Sequence, residues 1–304
     1  MSDAFKVFQP GEIVDVVAPA SKCPKQDLQA GLELIRSWGL VPRVDKALFG
    51  KDRFCANSDQ QRARQLTAAL KAKDSRLVWC VRGGYGSGRI LSDVFRRSFP
   101  SNKLFIGFSD LTAVQLQLYQ QGWASIHGPM IGGLGSGFYS KPVINELKRL
   151  LFKPNVSQQF SLKPVGAIRS GAIKGRVVGG NLKMIESLTG TRWLPSFRSQ
   201  IVFFEDIDER GYSVDRMLDH LLQVGAFKGA RAVVFGRFLA GLEKDGKARQ
   251  NEAISRFAER IKIPVFKGLK VGHGGSDRPL VTNQVGHISG RHQKFHLDIS
   301  VRDH

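Results

Sequence analysis

Along the first half of the chain, short apolar runs alternate with stretches whose apolar residues recur at helical spacing. Residues 13–18 form a β-rich run. Leu28, Leu32 and Ile35 then share one helical face, and Gly39 supplies a stop. Ser58, with Gln61 three residues on, resembles a capping box and opens a helix to about Lys73. The pattern predicts strands over 77–81 and 103–107, a helix over 89–97, and another helix with Leu111, Val114 and Leu118 on one face. Strands alternating with helices of this length predict parallel βαβ units, with helices on both sides of one sheet. Such sheets bind ligands beyond the carboxyl ends of their strands.

The alternation lapses over residues 151–170, which carry two Lys-Pro dipeptides and no helical period. This stretch reads as a linker between an N-terminal domain, 1–150, and a C-terminal domain, 171–304. In the second half, strands are expected near 173–178, 201–205 and 232–235, with helices near 182–188 and 214–224. From about Pro279 the tail reads as strands joined by turns at Gly286 and Gly290. The second domain is therefore α/β with a mixed sheet.

Candidate chemistry sits where strands end. A buried strand runs into Gly107-Phe108-Ser109-Asp110 and straight on into a helix. That is the design of a nucleophile elbow, which lifts a serine hydroxyl above the sheet and aims helix amides at it. The pattern departs from G-x-S-x-G, because Leu111 stands two residues after the serine. A serine or aspartate before a helix also serves simply as a cap. Arg82-Gly83-Gly84-Tyr85-Gly86-Ser87-Gly88 follows another strand. Such a loop can bind phosphate, present amides to an oxyanion, or merely turn. It matches neither the P-loop nor G-x-G-x-x-G. The glycines at 132, 133, 135 and 137 read as a mobile loop.

A serine hydrolase also needs a base and an orienting acid. His273 lies among glycines after an apolar run, and His127 is its rival. Glu205 ends the apolar strand Ile201-Val202-Phe203-Phe204, and a carboxylate buried there needs a partner. A salt bridge or a helix cap would also satisfy it. Spacing alone does not bring Ser109, Glu205 and His273 together.

Composition adds limits. The net charge is +20, but it is spread evenly: positions 1–150 hold 21 basic and 12 acidic residues, positions 151–304 hold 25 and 14. With no basic tail, zinc finger or RNA-binding motif, this reads as a solvated basic surface and not as a nucleic-acid site. No run of about 18 apolar residues occurs, so no stable membrane association is expected. The N-terminal apolar stretch is broken by Asp15 and lacks a secretory pattern, so the expected location is the cytoplasm. Cys23, Cys55 and Cys80 have no metal-ligand spacing and read as reduced thiols, with Cys80 in the core.

Together these blocks resemble the LD-carboxypeptidase family, bacterial serine peptidases grouped with the microcin C resistance peptidases. The resemblance runs over nearly the whole chain. It rests on Val17-Ala18-Pro19-Ala20-Ser21, Arg82-Gly83-Gly84-Tyr85-Gly86, Gly107-Phe108-Ser109-Asp110-Leu111-Thr112-Ala113 and Gly128-Pro129-Met130. In the second half it rests on GGNLKMIESLTGTRWLP (179–195), Glu205-Asp206, Asp215-Arg216-Met217-Leu218 and Gly272-His273. The resemblance implies Ser109 as nucleophile, Glu205 as acid and His273 as base, with His127 a neighbour. It implies a flavodoxin-like or amidotransferase-like first domain, a second domain supplying acid and base, and a site between them. It also implies a homodimer and no metal or organic cofactor.

Backbone amides of Gly84 and Asp110 are the expected oxyanion donors. Arg82, Gly83, Tyr85 and Asn181 are candidate substrate contacts, although Arg82 could equally make a structural ion pair. The implied substrate is a murein tetrapeptide, whose terminal D-alanine is removed in peptidoglycan recycling. Two other readings stay open: cleavage of peptidyl or aminoacyl nucleotides by the same triad, and a non-catalytic protein that binds nucleic acid or another anionic polymer.

Overall fold

Near-continuous burial along the inner strands of the first unit is what a parallel sheet covered on both faces demands, whereas the edge strand at 41–44 is partly exposed. β1 (Ile13–Val17), β3 (Ser75–Cys80) and β4 (Leu104–Gly107) are apolar on both sides, and almost every residue in them is buried. The computed structural model describes residues 7–166, 168 and 170–301. The first six and last three residues of the expected domains, and 167 and 169 of the expected linker, lie outside the described residues.

With β2 (Val41–Val44) and β5 (Ala124–His127), these strands form a sheet in the order β5-β4-β3-β1-β2, parallel throughout. Its helices are α1 (Lys25–Ser37), α2 (Asp59–Lys71), α3 (Leu91–Val94), α4 (Thr112–Gln120), α5 (Ile131–Gly135) and α6 (Lys141–Phe152). Ser58 caps α2 as expected, its hydroxyl accepting from the Gln61 amide at 3.3 Å. The Ser58 amide donates to Asn57 Oδ1, so the reciprocal half of the capping box is supplied by Asn57. Asp15, the polar residue inside β1, is answered by Arg43 at 2.6 Å, by the Ser75 hydroxyl and by the Lys103 ammonium at 3.6 Å.

Several expectations need correction. The stretch 89–97 is a 3₁₀ turn (Ser87–Ile90) followed by the single turn of α3. The glycine-rich stretch at 132–137 is no mobile loop: it carries α5, packed on α1. A Cβ on Gly135 would stand 1.8 Å from the Asp27 carbonyl oxygen, and one on Gly31 would stand 2.3 Å from that of Ile131. The glycines are there because two helix backbones touch.

The second unit starts at Ser157, inside the expected linker. β6 (Ser157–Val165) alternates exposed and buried residues and pairs on both sides, so 157–165 is sheet and not linker. Its two-residue period is obscured by Pro164, which is tolerated near the strand's end, beyond the residues that pair with β13. The remaining elements are β7 (Ser170–Asn181), α7 (Leu182–Ser187), β8 (Gln200–Ile207), α8 (Gly211–Gln223), β9 (Ala232–Leu239), α9 (Gln250–Arg260), β10 (Val265–Lys267), β11 (Leu280–Thr282), β12 (Val285–Arg291) and β13 (Lys294–Ser300).

Seven strands close a barrel in the order β10-β6-β13-β12-β7-β8-β9. β7, β8, β9 and β10 run parallel, and the other pairings are antiparallel, which makes the sheet mixed. Phe160, Val177, Ile201, Phe203, Phe266 and Leu297 belong to its core. Gly286 and Gly290 lie within β12, not at turns. A Cβ on Gly290 would meet the Lys294 carbonyl oxygen at 2.2 Å, so that glycine serves close hairpin pairing. Among the described residues, no helix is long and apolar enough to cross a membrane.

Candidate active site

β4 ends at Gly107, and the chain turns at Ser109 with φ +63°, a left-handed conformation that serine rarely adopts. A 3₁₀ turn, Ser109–Leu111, leads directly into α4. Ser109 is half-buried, while its neighbours Phe108 and Asp110 are buried. Phe108 meets the His127 ring edge-on at 5.6 Å. His127 is 1% exposed at the end of β5, which places it in the packing beneath the turn.

The glycine loop is fastened to this turn by Asp110. The Asp110 carboxylate accepts from the amides of Gly86 (3.3 Å) and Ser87 (2.8 Å), and the Ser87 hydroxyl donates back to the Asp110 carbonyl at 2.5 Å. Burial raises the Asp110 pKa, and these amides oppose the rise. Arg62, wholly buried, donates to the carbonyls of Gly86 (2.8 Å), Asn57 (3.0 Å) and Pro19. On the other side, Ser21 Oγ accepts from the Tyr85 amide at 3.1 Å and donates to the Phe54 carbonyl at 3.0 Å.

The amides of Tyr85, Gly86 and Ser87 thus have partners outside the loop, in Ser21 and Asp110. Gly83 lies against the serine: a Cβ there would come within 2.9 Å of Ser109 Cβ and 3.2 Å of its Oγ. Gly84 has φ +99°, and its Cβ would strike Ser21 Oγ at 2.5 Å. No side chain other than hydrogen fits either position, which leaves bare backbone beside the Ser109 hydroxyl. Arg82 is exposed and donates to the Lys22 carbonyl at 3.1 Å. Tyr85 is exposed and stands edge-on to Phe54, with ring centroids 6.4 Å apart.

In the second unit the structure joins Glu205 and His273. Glu205 is fully buried near the end of β8, and its Oε2 lies 2.6 Å from His273 Nδ1. The carboxylate can only accept, so Nδ1 carries the proton and Nε2 is the basic nitrogen. Burial pushes the imidazole pKa down, but the Glu205 carboxylate outweighs it, and the net shift is upward. The His273 side chain is 12% exposed, and its Nε2 is itself shielded from solvent.

Two features of this pair escaped the sequence reading. A Cβ on Gly236 of β9 would lie 2.6 Å from the Val271 carbonyl oxygen and 3.3 Å from Glu205 Cβ, so a glycine lets the histidine loop close on the strand. Asp277 holds that loop through the Gly274 amide at 2.7 Å. Asn181, expected among substrate contacts, is a buried helix cap. It accepts from the Met184 amide at 3.0 Å and donates to Asp206 at 2.7 Å. Asp206 also accepts from the Lys183 amide, and burial, then the neighbouring Glu205 charge, pushes its pKa up to about 7.

Cys80 is fully buried, and desolvation raises its thiol far above the usual range, so it is not a nucleophile at neutral pH. Among the described residues, no three His, Cys, Asp or Glu side chains gather as a metal site would require.

Known proteins resemble this chain along most of its length. Residues 14–128 match the family profile described as LD-carboxypeptidase N-terminal domain, and 174–288 match the LD-carboxypeptidase C-terminal domain. A Rickettsia prowazekii relative, provisionally named a carboxypeptidase, is 37% identical over 93% of this chain and 90% of its own. The murein tetrapeptide carboxypeptidase of Pseudomonas aeruginosa is 28% identical over 87% of this chain and 89% of its own. The crystal structure of muramoyltetrapeptide carboxypeptidase from Oxalobacter formigenes superposes with a TM-score of 0.82 at 29% identity, covering 96% of this chain and all of that one. An MccF-like protein from Bacillus anthracis shares the fold, with a TM-score of 0.83 at 19% identity over 98% of this chain and 99% of that one.

Proposed function

Because this chain belongs to the LD-carboxypeptidase family, we propose that it is a serine carboxypeptidase that hydrolyses the LD peptide bond of a murein tetrapeptide, releasing the terminal D-alanine in cell-wall recycling. The observation that carries the reading is the Glu205–His273 pair at 2.6 Å, a buried carboxylate orienting an imidazole. His273 Nε2 takes the proton of Ser109 as its oxygen attacks the scissile carbonyl, and Glu205 stabilises the imidazolium that results. Amides of Gly84 and Asp110 receive the developing oxyanion, where one donor is worth about 100- to 1000-fold in rate. His273 then protonates the departing D-alanine amine, and water hydrolyses the acyl-enzyme. Arg82 and Tyr85, exposed on the glycine loop, are the side chains offered to the substrate.

The Oxalobacter and Pseudomonas relatives, named for muramoyl or murein tetrapeptides, support this substrate class. The MccF-like structures, at 18–19% identity, support the fold alone, so a nucleotide conjugate ranks behind the murein peptide.

Incubation with L-Ala-γ-D-Glu-meso-diaminopimelyl-D-Ala tests the reading through the release of D-alanine. The wild type should release it, and a folded Ser109→Ala variant should not. Ordinary turnover by Ser109→Ala would remove the nucleophile assignment. Silence from the wild type would remove the substrate, and an aminoacyl sulfamoyl adenylate would be tried next.

A further inference from the structure

The loop that carries His273 is rich in residues with little conformational preference: Gly272, Gly274 and Gly275 surround it. Such a loop must be held, because each free residue costs about 1–2 kcal/mol to order. We infer that Asp277 is a positioning residue for His273, fixing the loop and adding a negative charge beside the imidazole. This rests on the role of His273 proposed above.

Asp277 is 6% exposed, and both its backbone and its side chain turn back on the loop. Its amide donates to the Gly274 carbonyl at 2.9 Å, and its Oδ2 accepts from the Gly274 amide at 2.7 Å. A Cβ on Gly274 would lie 2.8 Å from that oxygen and one on Gly272 3.4 Å, so the loop's glycines admit the carboxylate. The ends of the loop are tied as well: the Arg237 amide of β9 donates to the Val271 carbonyl at 2.8 Å, and the Arg278 amide donates to the Lys270 carbonyl at 2.8 Å.

The charged groups that act on His273 within this unit are Glu205 and Asp206 on β8 and Asp277 on the loop, while Arg237 on β9 and Lys270 on the loop act on Asp277. Arg237 lies 3.9 Å from Asp277 and is half exposed, so it neutralises that carboxylate weakly. Glu205 is the larger influence on the imidazole, but Asp277 acts in the same direction. Removing the Asp277 charge therefore moves protonation of His273 to lower pH.

The test compares Asp277→Asn, which keeps an oxygen for the Gly274 amide, with Asp277→Ala, which keeps nothing. The imidazole of His273 is titrated by NMR in the full chain, and kcat and KM for D-alanine release are measured across pH. In both variants the titration and the acid limb of kcat should move to lower pH. The alanine variant should also lose up to about 100-fold in kcat as the base wanders, with KM within twofold. A titration at the wild-type position in both variants would overturn the inference. Because NMR reads His273 whether or not the peptide is the substrate, a wild type that releases no D-alanine fails the proposed reaction separately.

Discussion

Replacing Ser109 with glycine and, separately, with alanine isolates the strain in the elbow. Both changes remove the hydroxyl, so the lost side-chain contacts cancel in the comparison, and both should abolish turnover. What differs is the backbone at φ +63°. An L-residue with a Cβ is destabilised there by about 1–2 kcal/mol, whereas glycine is not. Glycine gives back roughly 0.4–1 kcal/mol through the entropy of the unfolded chain. The net expectation is a glycine variant more stable than the alanine variant by about 1 kcal/mol. With an m-value of about 2 kcal/mol/M, that is a urea midpoint higher by about 0.5 M. The transition to follow is that of the first unit, monitored by fluorescence of its Trp38, Trp79 and Trp123. A glycine variant no more stable than the alanine variant would refute the reasoning. It would mean that the turn is relaxed and that the Asp110 and Gly83 contacts hold no strain in place.

Two further outcomes follow from the same structure. Glu205→Gln keeps an acceptor for Nδ1 but removes the charge that raises the His273 pKa. The imidazole then protonates at lower pH, so the acid limb of kcat/KM should shift down while the plateau falls by ~10²–10⁴-fold; an unmoved acid limb would show that His273 is not the titrating base. Gly135→Ala forces a Cβ to 1.8 Å from the Asp27 carbonyl and should cost about 3 kcal/mol. Gly171→Ala, where nothing lies within 4 Å, should change the urea midpoint little, and equal midpoints for the two variants would contradict the close packing of α5 on α1.

The features legible in the sequence are those with local causes. Apolar runs over β1, β3 and β4 and helical spacing in α1 marked the parallel unit, because a strand covered on both faces and an amphipathic helix each leave their own period. Ser109 stood out because a strand, a sharp turn and a helix meet within a few residues. Glu205 and His273 stood out singly, one as a charge ending an apolar strand and the other as an imidazole among glycines. Their meeting belongs to the tertiary structure: they are 68 residues apart, and only β8, Gly236 on β9 and the loop after β10 bring them to 2.6 Å.

The same holds for other features that the local pattern left unmarked. Asn181 and Asp206 are capping and bracing groups, which depends on where α7 starts. The glycines of α5 answer to α1, a hundred residues earlier in the chain. β6 gained its identity from partners at β10 and β13, more than a hundred residues away. A strand with a proline and a weak period is specified by the neighbours that pair with it, and a buried charge by the group that answers it. Neither is written in the local pattern of the chain.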